Sequence, residues 1–575
     1  MKKINIKING KKLSCSPGKT IMEVAADNNF FIPSFCNHPD FLPKGNCRIC
    51  VVEIKGWRKL ATSCSTEIEE GMEIFTNTEK VKKARNLNIE LIFAEHIEKC
   101  PTCIWNVHCS LLDLAERYKV EIKRFPDRKG KRKTYKFANA VEIDGTQCID
   151  CRNCLDACSL LQNINYLELK GKGYNQEVVP VKTSCLFGEK KKVDCIYCGQ
   201  CAVHCPVGAA QEQSQWEEVE KKLKDKNKIV VAQFAPSIRV SIGEEFGLPH
   251  GEVLTGQIIA GLKELGFNYV FDVNFGADVT TVVEAEELLE RIKNKKTMPM
   301  MTSCCPAWVK YVEFYHPELI PNLTTARSPH VHNGGLIKTY WAEEKCINPK
   351  DLVVVSVMPC TAKKFEATRP ELKVKGLFPV DNVLTTREFA WLLKKNNINL
   401  SKLKPSDLEN PMGDYTGASV IYGGSGGVME SALRTAQSLA CGKNKGSLCE
   451  AKLDFKDVRG LAGIKESVVS VAGKKLRVGV VNGIGHIEPI IDNLKKYDYI
   501  EVMACPGGCI GGGGQPIPTT NEIRQKRIDA LYRLDKNKKI RRAHENLELQ
   551  KALKWLKGKG GLEHKLLHTT YKKRS

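Results

Sequence analysis

Two cysteine runs constrain this chain more than anything else in it: Cys148-x2-Cys151-x2-Cys154-x3-Cys158, and then Cys195-x2-Cys198-x2-Cys201-x3-Cys205-Pro206. Thiolates at this spacing wrap a cubane iron-sulfur core. A duplicated run makes a two-cluster ferredoxin-like unit in which the fourth cysteine of each run ligates the other cluster. One 4Fe-4S cube is therefore expected on Cys148, Cys151, Cys154 and Cys205, the other on Cys195, Cys198, Cys201 and Cys158. Structural zinc is the weaker alternative.

The chain holds 25 cysteines in 575 residues. In a small secreted protein that would suggest disulfides, but here short C-x2-C arrays lie on a long chain. Met1-Lys2-Lys3 runs straight into alternating Ile4, Ile6 and Ile8 with no apolar block, so a secretory leader is not expected. No stretch approaches a membrane span. A cytoplasmic, metal-ligating protein with no membrane partner is the expectation. The formal charge of +22 resembles a nucleic-acid binder's. Bound clusters would bring about ten negative charges, leaving roughly +12, and no nucleic-acid partner is expected. The basic run Arg128-Lys129-Gly130-Lys131-Arg132-Lys133 reads as a solvated linker. Its functional alternative is to steer a small acidic electron carrier.

Two further cysteine sets precede the duplicated runs. The chain opens as a small β module: Ile4 to Ile8 alternate with polar residues, Asn9-Gly10 suits a tight hairpin, and Lys11 to Ser14 return. A helix from Thr20 to Asn28 follows, capped by Thr20. Cys36, Cys47, Cys50 and Cys64 then suit a 2Fe-2S cluster, with zinc as the alternative. Next, His96, Cys100, Cys103 and Cys109 offer one imidazole and three thiolates. Alone they could be a zinc knuckle; between two cluster modules they read as a His-ligated 4Fe-4S site. Modules are thus expected over 1–80, 81–122 and 140–216, ahead of a body over 225–520 and a polar, basic tail over 521–575. The tail has a short helical segment near Leu547 to Leu556 and is expected to strap the surface. Clusters in series imply a wire, and a wire implies redox chemistry at its end.

The body alternates strands with helices. Ile229 to Phe234, Val353 to Val357, Val478 to Val481 and Tyr499 to Met503 read as buried strands. Three of them run into Ala235-Pro236-Ser237, Met358-Pro359-Cys360 and Met503-Ala504-Cys505, and ligands bind at the carboxyl ends of such strands. Separated thiolates there could bind any metal centre, and spacing alone stops at that point.

Three segments together, Thr302 to Trp308 with Cys304-Cys305, Met358 to Glu366, and Glu501 to Pro516, closely resemble the signatures of iron-only (FeFe) hydrogenases. The front modules resemble that family's long, ferredoxin-fused form. The resemblance implies a multidomain α+β and α/β protein: a β-grasp 2Fe-2S domain, a small helical module binding a cluster through one histidine and three cysteines, a two-cluster ferredoxin-like domain and a two-lobed α/β catalytic domain. It implies one 2Fe-2S cluster, three accessory 4Fe-4S clusters and an H-cluster. The H-cluster would comprise a 4Fe-4S cube on Cys305, Cys360, Cys505 and Cys509, joined through Cys509 to a diiron unit carrying CO, cyanide and azadithiolate. Pro236, Ser237, Met358, Lys363 and Met503 would surround that unit, Lys363 as a cyanide partner. Cys304 would pass protons, fed by Arg291, Glu287, Thr324 and Glu284. Glu284, Glu287 and Arg291 fall on one face of a helix, which by itself would read as a surface ion-pair network.

The implied partners are H2 and protons, maturation proteins, and ferredoxin or flavodoxin as carrier, with the chain acting as a monomer. A hydrogen sensor, a non-catalytic iron-sulfur protein of the same fold and a subunit of an NADH-linked complex are the rivals. His330 stands where the family usually has glutamine, and Ala362 where many members have serine. Cys15, Cys185, Cys346, Cys441 and Cys449 fit no cluster and read as ordinary thiols. The run Gly423 to Gly427 lacks the context of a nucleotide loop.

Overall fold

The computed structural model describes all residues except 1–2, 97–99, 101–102, 104, 106–108, 187–188, 295, 409–411, 443–451 and 575. The chain begins as a five-stranded sheet ordered Lys11–Cys15, Ile4–Ile8, Glu73–Phe75, Val51–Ile54, Ala61–Thr62. Asn9 and Gly10 both take positive φ, and Ile8 pairs with Lys11 across that turn. Helix Ile21–Asp27 starts at Thr20, whose hydroxyl accepts from Glu23 N while Glu23 reaches back, a reciprocal cap. Ile6, Ile8, Val24, Val52 and Ile74 close a small core that includes Cys50 and Cys64.

Helices Glu79–Ala94 and Ser110–Arg117 follow, and then a three-stranded sheet of Thr134–Phe137, Val141–Asp144 and Ala210–Glu212 with two flanking hairpins. The basic run between them is neither a solvated linker nor a free patch. Arg128 and Lys129 pair with Glu95 at 2.8 and 3.0 Å, and Arg132 pairs with Asp150 at 3.1 Å. Lys129 also donates to the Cys148 carbonyl at 2.7 Å and is buried. Half of the run therefore staples the end of the helix that leads to His96 onto the first ferredoxin-type run, while Lys131 and Lys133 stay exposed.

The body holds two four-stranded sheets. The first is parallel throughout and ordered Tyr269–Asp272, Ile229–Phe234, Leu352–Met358, Asn382–Thr385. Leu352–Met358 is buried at every position, as a central parallel strand must be. The second runs Met300–Met301, Tyr499–Met503, Lys474–Asn482, Ile464–Val471, with only the last strand antiparallel. Helix Val273–Asn294 joins them. Val273, Phe275 and Val279 belong to the core of the first sheet, and Ala285, Leu288 and Ile292 to that of the second. The helix is buried from Val273 to Ala285, polar residues included, while Glu286 and Glu290 in its last turns are exposed.

The tail is built into the core rather than laid over it. It forms helices Asn521–Asn537, Leu547–Lys557 and Leu562–Leu567. Leu549, Leu556, Leu566 and Leu567 join the core of the parallel sheet, and Ile528 and Leu531 pack on Ile510. Their apolar periodicity is diluted by Lys and Arg, whose stems cover apolar surface while the charges stay wet. Cys441 is disulfide-bonded and so is not the ordinary thiol expected. Cys449 and the Cys185 side chain lie outside the described residues.

Candidate active site

Strands Ile229–Phe234, Leu352–Met358 and Tyr499–Met503 end around one cavity. Cys305, Cys360, Cys505 and Cys509 line it together, with Cys304 beside them. Pro236, Ser237, Met358, Lys363 and Met503 complete much of the wall. Local sequence explains the convergence. Pro306 starts helix Pro306–Tyr315 directly after Cys305, a position where its missing N–H costs nothing. Gly507 and Gly508 both have φ near +80°, folding the loop so that Cys505 and Cys509 reach the same cavity. A Cβ on Gly508 would fall 2.8 Å from Ser425 N. The run Gly423 to Gly427 thus serves as a close-packed wall.

The donor set fits a metal-sulfur group. Burial, reinforced by neighbouring thiols, pushes Cys360 up to about 12 and raises Cys505 and Cys509 as well. Four thiols on one cavity, Cys505 buried and Cys305, Cys360 and Cys509 partly so, cannot all ionise side by side without cations between them, and iron-sulfur cores supply those cations. The Ser237 hydroxyl is buried without a partner among the described residues, an unmatched polar group in a largely apolar wall. Lys363 brings one cation, its Nζ donating to Glu366 Oε2 at 2.6 Å and to the Cys304 carbonyl at 3.0 Å. Burial opposes charge on Glu366, yet Lys363 and His330 hold it down at about 2. A cationic donor in a dry pocket suits an anionic ligand on a metal.

Comparison with known proteins agrees. Residues 228–513 match the family described as "Iron only hydrogenase large subunit, C-terminal domain", and 521–574 match "Iron hydrogenase small subunit". Residues 1–79 match "2Fe-2S iron-sulfur cluster binding domain" and 85–124 match "NADH-ubiquinone oxidoreductase-G iron-sulfur binding region". The chain is 38% identical to Iron hydrogenase 1 of Clostridium pasteurianum over 98% of its own length and 99% of that protein. The chain belongs to the iron-only hydrogenases. It is also 39% identical to NADP-reducing hydrogenase subunit HndD of Solidesulfovibrio fructosivorans, with 100% of both chains covered. Among solved structures, the apo [FeFe]-hydrogenase HydA1 from Chlamydomonas reinhardtii superposes with a TM-score of 0.55 at 38% identity, covering 62% of this chain and 98% of that one. As a hydrogenase the chain is an oxidoreductase acting on H2, with 2Fe-2S and 4Fe-4S binding regions and an H-cluster domain.

In this hydrogenase the accessory cysteines gather as sets. Cys50 and Cys64 bring their sulfurs to 3.4 Å, and Cys36 Sγ accepts from Asn46 N and Cys47 N at 3.3 and 3.4 Å. His96 Nδ1 lies 2.8 Å from the Gln147 carbonyl, so a backbone oxygen orients the ring. Cys100, Cys103 and Cys109 are near enough for their charges to act on one another. Burial is the largest cause raising all eight thiols of the duplicated runs. Beyond it, Cys205 acts on Cys148, Cys151 and Cys154 and also on Cys201, and Cys158 acts on Cys195, Cys198 and Cys201. The second run abuts the hydrogenase cavity: Cys505 Sγ is 3.9 Å from the Cys198 carbonyl. Gly199 packs so tightly on the loop after Cys509 that a Cβ would sit 3.0 Å from Gly513 Cα.

Helix Val273–Asn294 carries Glu284, Glu287 and Arg291 inward. Glu284 is fully buried; its Oε1 accepts from Tyr499 Oη at 2.6 Å, and its Oε2 has no partner among the described residues. Burial raises its carboxyl to about 8, and the Glu284 charge is in turn among the causes raising the buried Cys304 thiol. Glu287 pairs with Arg291 at 2.6 Å and accepts from the Thr324 hydroxyl at 2.8 Å. Thr324 thus meets Glu287 directly, whereas the recorded side-chain contact of Glu284 is Tyr499. Tyr499, Thr325 and His568 had no motif to announce them, and Glu366 closed the Met358 to Glu366 segment without an assigned role. Only Tyr499 carried a signal, since a tyrosine at the start of a buried strand must find a hydrogen-bond partner. No helix among the described residues is long and apolar enough to cross a membrane.

Proposed function

We propose that this hydrogenase interconverts H2 with protons and electrons at an H-cluster that Cys305, Cys360, Cys505 and Cys509 would hold, Cys509 serving both of its parts. When bound, that group supplies the redox chemistry joining two electrons and two protons. The chain does the rest. Lys363, Ser237 and Pro236 would orient the diiron unit's ligands, and Met358 and Met503 would keep its surroundings dry. Cys304 holds the proton nearest the reacting atoms, and Glu284, neutral near pH 7, passes the next one. Glu287, Thr324 and Arg291 continue the route outward. The observation that carries the reading is that four cysteines from three distant segments, Cys304 and Lys363 line one apolar cavity.

Electrons are assigned to one 2Fe-2S cluster on Cys36, Cys47, Cys50 and Cys64, a 4Fe-4S cluster on His96, Cys100, Cys103 and Cys109, and two cubes on the duplicated runs. These sit in a β-grasp domain over 1–80, a helical module over 81–122 and a ferredoxin-like domain over 140–216. The catalytic domain spans 225–520 in two lobes, and the C-terminal segment spans 521–575. A small acidic carrier, ferredoxin or flavodoxin, would exchange electrons with a cytoplasmic monomer that maturation proteins have loaded. The full-length match to HndD favours a second arrangement, in which this chain is one subunit of a nicotinamide-linked assembly.

The test is anaerobic H2 evolution from reduced methyl viologen by fully matured protein, beside Cys304→Ala. Fast evolution that collapses in the variant at unchanged iron content is expected. Inactive, verified holoprotein would instead favour the sensor or non-catalytic reading.

A further inference from the structure

Glu287 Oε2 accepts from the Thr324 hydroxyl at 2.8 Å and from the Thr325 hydroxyl at 2.9 Å. The first leads toward the buried site, and the second leads out. Thr325 Oγ1 lies 2.8 Å from His568 Nδ1, in the C-terminal segment. A hydroxyl has one proton, and Thr325 gives it to a carboxylate already paired with Arg291. The contact to His568 therefore requires Nδ1–H as donor. The chain Nδ1–H to Oγ1–H to Oε2 is directed inward at every link.

The surroundings of His568 suit a group that exchanges protons with solvent. Its ring is half-buried and lines an open pocket of about 750 Å³, together with Glu287, Arg291 and His564. Its backbone is pinned independently of the ring: Arg327 Nε donates to the His568 carbonyl at 2.9 Å, and Thr569 N to the Thr325 carbonyl at 2.8 Å. The ring faces His564, with centroids 5.0 Å apart. Glu286, Glu290, Glu563 and Lys296 line the same pocket, and Arg327 lies behind.

We propose that His568 is a proton-relay residue forming a second entrance to the path, through Thr325 to Glu287, in parallel with the mouth at Arg291. For H2 evolution, Nε2 takes a proton from pocket water while Nδ1 releases one to Thr325. The hydroxyl's own proton passes to Glu287, so ring and hydroxyl keep their charges over the step. Exchange with pocket water returns the ring to its Nδ1–H form, and H2 oxidation runs the sequence backward. The inference rests on Glu287 carrying protons at all.

The experiment uses matured full-length protein and follows H2 evolution with methyl viologen over a pH range that runs from alkaline to well below the usual histidine value of about 6.5, since burial and His564 lower that of His568. His568→Ala and Thr325→Val are each expected to slow turnover roughly tenfold, below what a positioned proton donor contributes when it has no parallel route. The decisive readout is rescue. Added imidazole enters the pocket and restores His568→Ala but not Thr325→Val, whose missing hydroxyl breaks the chain farther in. A lost fold would lower the melting temperature and would not respond to imidazole. Unchanged rate and pH profile in both variants overturns the proposal, as does slowing of His568→Ala that imidazole leaves untouched. Glu287→Gln separates the two levels: if it collapses while the His568 and Thr325 variants run at full rate, only the second entrance is wrong; if it too runs at full rate, the glutamate route itself falls.

Discussion

His330 Nε2 lies 2.7 Å from Glu366 Oε2, the oxygen that also receives Lys363 Nζ at 2.6 Å. His330 Nδ1 is 3.3 Å from the Ser356 hydroxyl, and the ring is fully buried. The histidine therefore sets where Glu366 stands, and Glu366 sets where Lys363 points.

His330→Ala should leave Glu366 short of one partner, at a cost on the order of 1–3 kcal/mol in stability. With Glu366 less firmly held, Lys363 keeps its bond to the Cys304 carbonyl but gains freedom, and the infrared bands of the cyanide proposed on the diiron unit should broaden or shift. His330→Gln, able to donate one hydrogen bond, should restore most of both. Sharp, unmoved bands in His330→Ala would show that Lys363 is positioned without the histidine.

Glu284 makes the fold sensitive to pH. Burial lifts its carboxyl from 4.5 to about 8, with the Tyr499 hydroxyl pulling the other way. A raised carboxyl contributes stability that is fully present below pH 4.5, declines as the unfolded chain ionises, and is lost as pH rises through about 8. The magnitude is on the order of 5 kcal/mol for the group alone. Glu284→Gln should flatten this part of the profile, so that wild type loses stability relative to the variant between pH 5 and 8 in urea titrations. Parallel profiles would mean that Glu284 is ionised in the folded protein.

Asp40 ties three regions together. It accepts from Arg524 at 2.6 Å and lies 3.0 Å from His204 Nε2, both partners being buried. Burial works against its charge, yet His204 and Arg524 hold it well below the usual carboxylate range. Asp40→Asn strands the Arg524 charge and should cost about 3 kcal/mol. Limited proteolysis should then release the first eighty or so residues sooner, while viologen-driven turnover by the remaining body persists. Unchanged protease resistance would count against the tie.

Lys129→Ala tests the basic run. Since Lys129 is buried against Glu95 and the Cys148 carbonyl, the variant should lose stability and, if the cube proposed on Cys148 to Cys154 is there, iron from it. The salt dependence of carrier turnover should not change. A large change in that dependence with normal iron content would return the run to a docking role.

Much of this was legible because cysteine spacing and strand runs are local signals. Ile229–Phe234 and Tyr499–Met503 begin and end where the apolar runs do. The helical face of Glu284, Glu287 and Arg291 was readable from periodicity, and so was the capped helix after Thr20. What escaped depends on distant pairing. Arg128 and Lys129 look solvated until Glu95, over thirty residues away, is brought against them. His568 looks like one residue of a basic tail until Leu566 and Leu567 enter the core and carry it to Thr325. Cys441 gave no hint of its bond. Spacing reports what a segment can ligate; it is silent on which charges a tertiary contact will consume.

The apposition of Gly199 and Gly513 limits how such an enzyme can be rebuilt. Each glycine belongs to a loop carrying a different set of cysteines, and neither backbone can grow a side chain without striking the other. A ferredoxin-type front end grafted from elsewhere must therefore bring not only its cysteines but a bare backbone at this one point of touch. Modular enzymes are often imagined as beads that can be restrung; here the clasp between two beads is the absence of two methyl groups.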